Sequence, residues 1–285
     1  MTARLLALMV LPLAAQNFQA VQVEKAAHGF RFTQGPAWSR EGYLLFSDVP
    51  GNQIMKHTPG GATVVFRADS EGAAGNAFDE HGRLYTCETH ARRVTRTEKR
   101  GRVEVLASRW EGKRLNAPHD VAVSKSGQVY FTDPAFGYQR DSRELNFYGV
   151  YHITPKGVLS VIARPKGRPN GITLSPDGRI LYVSNSDERN IRAYDVDRDG
   201  NVSGERVFIS HIAGIPAGMC TDKSGNLYVA AKGLAVYSSA GRLLETIPVS
   251  EKPSNCTFGG PDFETLYITA RTSLYQVQLD TKGSQ

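Results

Sequence analysis

Short apolar runs, four to six residues long, recur along the chain, and each is broken by Gly, Pro, Asn or Asp before it could complete an amphipathic helix. Stretches such as Gly149 to Ile153 and Leu181 to Ser184 are β-branched and aromatic with no 3.6-residue period, so they predict strands. The runs follow a repeat that returns six times: a small or polar residue, an apolar segment, a turn, then a β-rich segment. The copies begin at Gln34 (QGPAWSREGYLLFSD), Ala74 (AGNAFDEHGRLYTCE), His119 (HDVAVSKSGQVYFTD), Asn170 (NGITLSPDGRILYVSN), Ala217 (AGMCTDKSGNLYVAA) and Asn255 (NCTFGGPDFETLYITA).

In the first five copies a glycine stands eight positions after the leading residue, at Gly42, Gly82, Gly127, Gly178 and Gly225; the sixth has Phe263 there. A glycine at that place supplies the positive φ that a tight hairpin needs. An aromatic follows within three or four residues (Phe46, Tyr85, Tyr130, Tyr182, Tyr228, Tyr267), at successive intervals of 39, 45, 52, 46 and 39 residues. Those intervals are propeller-blade spacing, longer than an ankyrin or leucine-rich unit. Further β-rich runs, such as Ile54 to His57 with Thr63 to Phe66, fill each repeat to four strands. The sequence therefore predicts an all-β fold: a six-bladed β-propeller of four-stranded antiparallel blades around a central channel.

Length does not require a second domain, since all-β folds of 285 residues are often one unit. The first fifteen residues read as a signal peptide. Arg4 precedes the apolar run Leu5 to Leu13, and Ala14-Ala15 supply small residues at a cleavage site, so residues 16–285 are expected to form the propeller of a secreted or periplasmic protein. Without export the chain would be cytoplasmic. The run is too short to span a membrane.

A formal charge of +6 is spread over the chain, and its densest cluster, Arg92 to Arg102, falls within one strand repeat; no nucleic-acid partner is expected. A monomer is expected. Cys87, Cys220 and Cys256 are too few for a disulfide framework or a zinc ribbon and read as buried thiols, with a Cys220–Cys256 pair open if adjacent blades bring them together.

Register carries the functional reading. The leading residues Gln34, Ala74, His119, Asn170, Ala217 and Asn255 hold one place in the repeat, at the start of the innermost strand, so their side chains are expected around one mouth of the channel, with Asp120 the nearest carboxylate. Gln, His and Asn there suit a cation or a hydroxyl-rich ligand; they equally suit backbone groups at strand starts.

The motifs FTQGPAW, GKRLNAPHDVAV, FTDPAFG, RPNGITLSPDGRILYVSN, GIPAGMCTDKSGNLYVA and SNCTFGGPDFETLYITARTSLYQV occur in this order over about residues 28–279. The chain resembles the family of senescence marker protein (regucalcin), gluconolactonase and luciferin-regenerating enzyme, its bacterial gluconolactonase-like branch most. The resemblance implies a six-bladed propeller that hydrolyses sugar lactones or related esters, with a divalent cation, usually calcium, in the channel. The family's cation is held by Glu, Asn, Asn and Asp at the positions of Gln34, His119, Asn170 and Ala217, so only Asn170 is retained. Loss of two carboxylates implies weak calcium binding or none. Asn170, Gln34 and His119 remain as candidate metal ligands, His119 and Asp120 as candidate catalytic groups, and Asn116, Asn255 and His90 as candidate substrate contacts. Two further functions stay open: a non-catalytic propeller that binds a sugar acid or lactone, and a protein-interaction scaffold, for which the segment from Tyr138 to Phe147 offers a lid or an interface.

Overall fold

A computed structural model describes residues 18, 21–136 and 140–284. The signal-peptide reading of residues 1–15 lies outside that set, as does part of the segment from Tyr138 to Phe147.

Six four-stranded sheets, each an antiparallel meander, follow one another along the chain. Blades 1 to 5 take their strands in sequence order, and their first strands are Thr33–Ser39, Ala73–Phe78, Val121–Val123, Pro169–Leu174 and Met219–Thr221. Blade 6 is built differently. Pro253–Gly259, Thr265–Ala270 and Ser273–Gln278 supply its three inner strands, and Glu24–His28 from the other end of the chain pairs with the last of them. Both ends of the chain thus close the ring, which removes the open edge a linear array of blades would leave. A small additional hairpin, Arg109–Trp110 with Lys113–Arg114, precedes blade 3.

Burial falls from the axis outward. In blade 1 the first strand is buried throughout, and Leu44, Leu45 and Phe46 of the second are fully covered, whereas Val64, Val65 and Phe66 on the outer strand are about half exposed. The repeat aromatics Phe46, Tyr85, Tyr130, Tyr182, Tyr228 and Tyr267 are all at most 3% exposed, and they make the packing between neighbouring blades. The core is therefore six wedges between sheets rather than one central mass. The arginines of blade 2 are ion-paired: Arg93 with Glu88, and Arg96 with Glu98 and Glu104.

The hairpin glycines take the conformation their spacing predicts, with φ between 71° and 86° at all five positions. Phe263, their counterpart in blade 6, adopts φ 58° as well, so the turn is held by the surrounding sheet at a position where a side chain is strained.

Around the axis the chain approaches itself closely. The residue after each leading position is glycine in blades 1, 2, 4 and 5, and a Cβ on Gly35 or Gly171 would lie 2.0 Å or 2.3 Å from a carbonyl oxygen of the next blade. The first strands are also stitched together by hydrogen bonds: Gly75 N–H to His119 O at 2.7 Å and Gly218 N–H to Ser254 O at 2.8 Å. Hydroxyls at the end of the second strands reach onward too, Thr132 to Asn170 O at 2.6 Å and Ser184 to Ala217 O at 2.7 Å. In blades 3 and 6 that position carries Asp120 and Asn255, whose side chains a Cβ on Gly75 or Gly218 would strike; the counterpart of His119 in blade 6 is therefore Ser254, one residue before the Asn255 expected from the repeat.

Candidate functional site at the channel

First strands begin, and second strands end, at the same end of the propeller, here called the upper mouth. His119 lies there, immediately before the first strand of blade 3. Its backbone N–H donates to Thr132 O at 2.9 Å, and its ring packs against Phe136, 5.0 Å between centroids. Phe136 in turn carries the Arg168 guanidinium 5.0 Å from its ring centre, and Arg168 is fixed by a two-pronged pair with Asp187. The imidazole keeps partial exposure at the mouth but is otherwise surrounded by protein. Burial pushes its pKa down to about 4, against which a hydrogen bond with the Asn170 backbone acts only in part. The ring is therefore neutral at physiological pH, and its Nδ1 has no partner.

Two amide oxygens beside it are in the same condition. Asn170 donates from Nδ2 to Ser186 Oγ at 3.0 Å, while its Oδ1 is buried and unpaired. Asn116 donates to the carbonyls of Asp133 and Phe147 at 3.1 Å and 2.9 Å, and its Oδ1 is also unpaired. The loop that presents Asn116 is held by the Asp133 carboxylate, which accepts the N–H groups of Asn116 and Ala117, both at 2.8 Å. Full burial raises Asp133 to about 7, those two hydrogen bonds opposing. Gln34 Oε1 accepts the N–H of Gly35 at 2.9 Å, which leaves the amide nitrogen as its free donor. His90 is exposed on the turn after the second strand of blade 2, its ring over Gly72.

Asp120 and Asn255, assigned with these residues from sequence, are turned elsewhere. Asp120 follows His119 in extended chain, so its side chain points the other way, into the girdle. There it accepts the Ile172 N–H at 3.2 Å and faces Asn255 Nδ2 across the channel at 3.4 Å from both oxygens. Asn255 completes itself by accepting the Cys256 N–H at 2.8 Å. Both residues line a cavity of about 950 Å³ in the lower half of the channel together with Asn76, Met219 and Cys220. Asp120 is 5% exposed, no cationic side chain among the described residues offsets its charge, and burial raises its pKa to about 7 despite the hydrogen bonds it accepts.

Sequence reasoning missed Phe136, Arg168 and Asp187, which wall His119, and Asp133, which fixes the Asn116 loop. The signal was available in part: FTDPAFG contains Thr132, Asp133 and Phe136 as one unit.

The residues present do not fit the calcium site of the resembled family. Ala217 offers no donor and His119 offers nitrogen. Gln34 has its oxygen engaged, and only Asn170 Oδ1 remains as a free hard ligand at the four positions. Calcium requires six to eight oxygens, with carboxylates for tight binding. Among the described residues no cluster of three His, Cys, Asp or Glu side chains could hold a metal ion, and no helix is long and apolar enough to cross a membrane.

Comparison with known proteins agrees with this architecture. A gluconolactonase of Zymomonas mobilis is 33% identical over 293 residues, covering 92% of this chain and 82% of its own. A pentonolactonase of Haloferax volcanii is 25% identical, covering 84% and 81%. The solved structure of a gluconolactonase from Xanthomonas campestris superposes with a TM-score of 0.84 at 34% identity, over 91% of this chain and 89% of that one. The family model for the SMP-30/Gluconolactonase/LRE-like region matches residues 32–272, and with these relatives it shows that the chain belongs to that family.

Proposed function

We propose that the chain hydrolyses the lactone of a polyhydroxylated acid at the upper mouth, with neutral side chains in the places where the family carries metal ligands. The supporting observation is the set of three unpaired acceptors, His119 Nδ1, Asn170 Oδ1 and Asn116 Oδ1, on adjoining segments of blades 3 and 4. Each buried acceptor left without a donor costs about 1–3 kcal/mol, so together they favour a ligand that brings hydroxyl groups. Sugar lactones do, and the gluconolactonase and pentonolactonase relatives support that substrate class.

In this reading His119 is the general base. Its hydrogen bond with Asn170 orients the ring, and its neutral Nδ1 accepts a proton from the water that attacks the lactone carbonyl. The free amide nitrogen of Gln34 is the donor available to the carbonyl oxygen as charge develops on it. The ring C–O bond then breaks and the alkoxide is protonated, giving the hydroxy acid. Asp120 takes no part in proton transfer, because its carboxylate faces Asn255 and Ile172 below the girdle.

Acid release from D-glucono- and pentonolactones tests this. His119→Ala is expected to lower the enzyme-catalysed rate by about 10²–10⁴-fold with little change in melting temperature. Retained activity in that variant would remove His119 from the mechanism. Tight lactone binding without turnover in the unmodified protein would leave only a binding function.

A further inference from the structure

Adjacent blades 5 and 6 approach each other more closely than side chains normally allow. Gly218 N–H donates to Ser254 O, and a Cβ on Gly218 would fall within 2.4 Å of the Asn255 carboxamide atoms. With the two first strands this close, the side chains two residues after Gly218 and Ser254 meet. These are Cys220 and Cys256, whose sulfurs are 3.2 Å apart, both as free thiols. Both line the 950 Å³ lower cavity, Cys220 at 7% and Cys256 at 3% exposure, so a small oxidant entering the channel from below can reach them. Cys87 is the contrast: fully buried and absent from that lining.

We propose that Cys220 and Cys256 are a modification site, at which a disulfide oxidant converts the thiol pair into a covalent bridge between blades 5 and 6. The Cys220 thiolate attacks one sulfur of the oxidant, whose S–S bond breaks and whose first half leaves as a thiolate and is protonated. Cys256 then loses its proton and attacks the Cys220 sulfur, releasing the second half of the oxidant as thiol. Two protein thiols are oxidised by two electrons, and one external disulfide is reduced to two thiols. Burial holds the Cys220 pKa above that of a free thiol, and the Cys256 thiol is tied to Tyr228 O at 3.6 Å. Exchange in the folded protein is therefore slow, and the bridge forms most readily while the blades assemble. Its place matters because blade 6 is the one closed by both ends of the chain. The bridge ties that seam to blade 5 beside Asn255, which faces Asp120 in the girdle.

The test uses the full chain, refolded in oxidised glutathione or incubated with it in the folded state, then alkylated and digested with trypsin. The expected product is one species lighter by two hydrogen atoms in which peptide Val207–Lys223 is joined to Leu243–Arg271, with Cys87 alkylated only after unfolding. Its melting temperature should exceed that of the reduced protein by roughly 5–10 °C, and that difference should vanish in Cys220→Ser/Cys256→Ser. Recovery of both cysteines as alkylated thiols or as separate glutathione adducts after refolding would overturn the proposal. So would a bridge to Cys87, or a redox-dependent melting temperature that survives in the double serine variant.

Discussion

The two halves of the channel are built from the same residue types and treat them in opposite ways. In the girdle and the lower half, polar side chains answer one another. Asn76 bonds to Ser47, Gly35 O and Thr86, and Asp120 takes the Ile172 N–H and faces Asn255. At the upper mouth, His119, Asn170 and Asn116 each keep one polar atom buried with no partner. Satisfied networks hold a structure in place, whereas unsatisfied ones raise its free energy until something binds. On the proposed function, the difference separates a floor that carries the fold from a mouth that carries the chemistry, although residues of both belong to one repeat and even adjoin in sequence.

If that division is right, changes to the floor should act on stability and changes to the mouth on turnover. The largest stability effect is expected at Gly35, which has φ 54° and whose added Cβ would meet Ala74 O at 2.0 Å. Gly35→Ala should cost about 3 kcal/mol or more in denaturant unfolding. A well-folded, equally stable variant would show that the first strands have room the geometry denies.

A smaller, pH-dependent effect is expected at Asp120. Its folded pKa, about 7, lies above that of an exposed carboxyl, so the folded state binds the proton more tightly than the unfolded chain. The associated stability is fully present below about pH 4 and is lost as the pH rises through 7. Asp120→Asn should therefore be more stable than the unmodified protein at pH 8, by on the order of 2 kcal/mol. The gap should close toward pH 5, with lactone turnover largely kept. Comparing the two proteins at each pH cancels the histidines, which titrate in the same range. A large loss of turnover instead would return Asp120 to the catalytic machinery and break the division between the halves.

The smallest effect concerns the cation. Gln34→Glu with Ala217→Asp restores two carboxylates at the mouth, and this variant should gain a calcium-dependent rise in melting temperature that the unmodified chain lacks. Equal calcium responses in the two proteins would mean that the mouth already holds the ion.

The repeat made the propeller legible because hairpin glycines and buried aromatics are local demands of each blade. The same register placed His119, Asn170 and Gln34 at one mouth. It could not say which way a side chain at the next position turns. Asp120 reads as the partner of His119 in one dimension, yet extended chain sends the two to opposite sides, and only the packed ring shows Asn255, 135 residues away, facing Asp120. Phe136 and Arg168 were hidden for a related reason: they belong to loops, and their contact with each other and with His119 exists only once blades 3 and 4 are side by side. Cys220 and Cys256 could be named as a conditional pair, but their contact depends on how closely Gly218 lets two blades approach.

The central claim is that the mouth works through neutral groups led by His119, and it is tested most directly by the pH profile of glucono- or pentonolactone hydrolysis in the presence of a strong divalent-cation chelator. The rate above that of His119→Ala should rise through about pH 4 and stay level to neutrality, and added calcium should leave it unchanged. Activity abolished by the chelator and restored by calcium would contradict it.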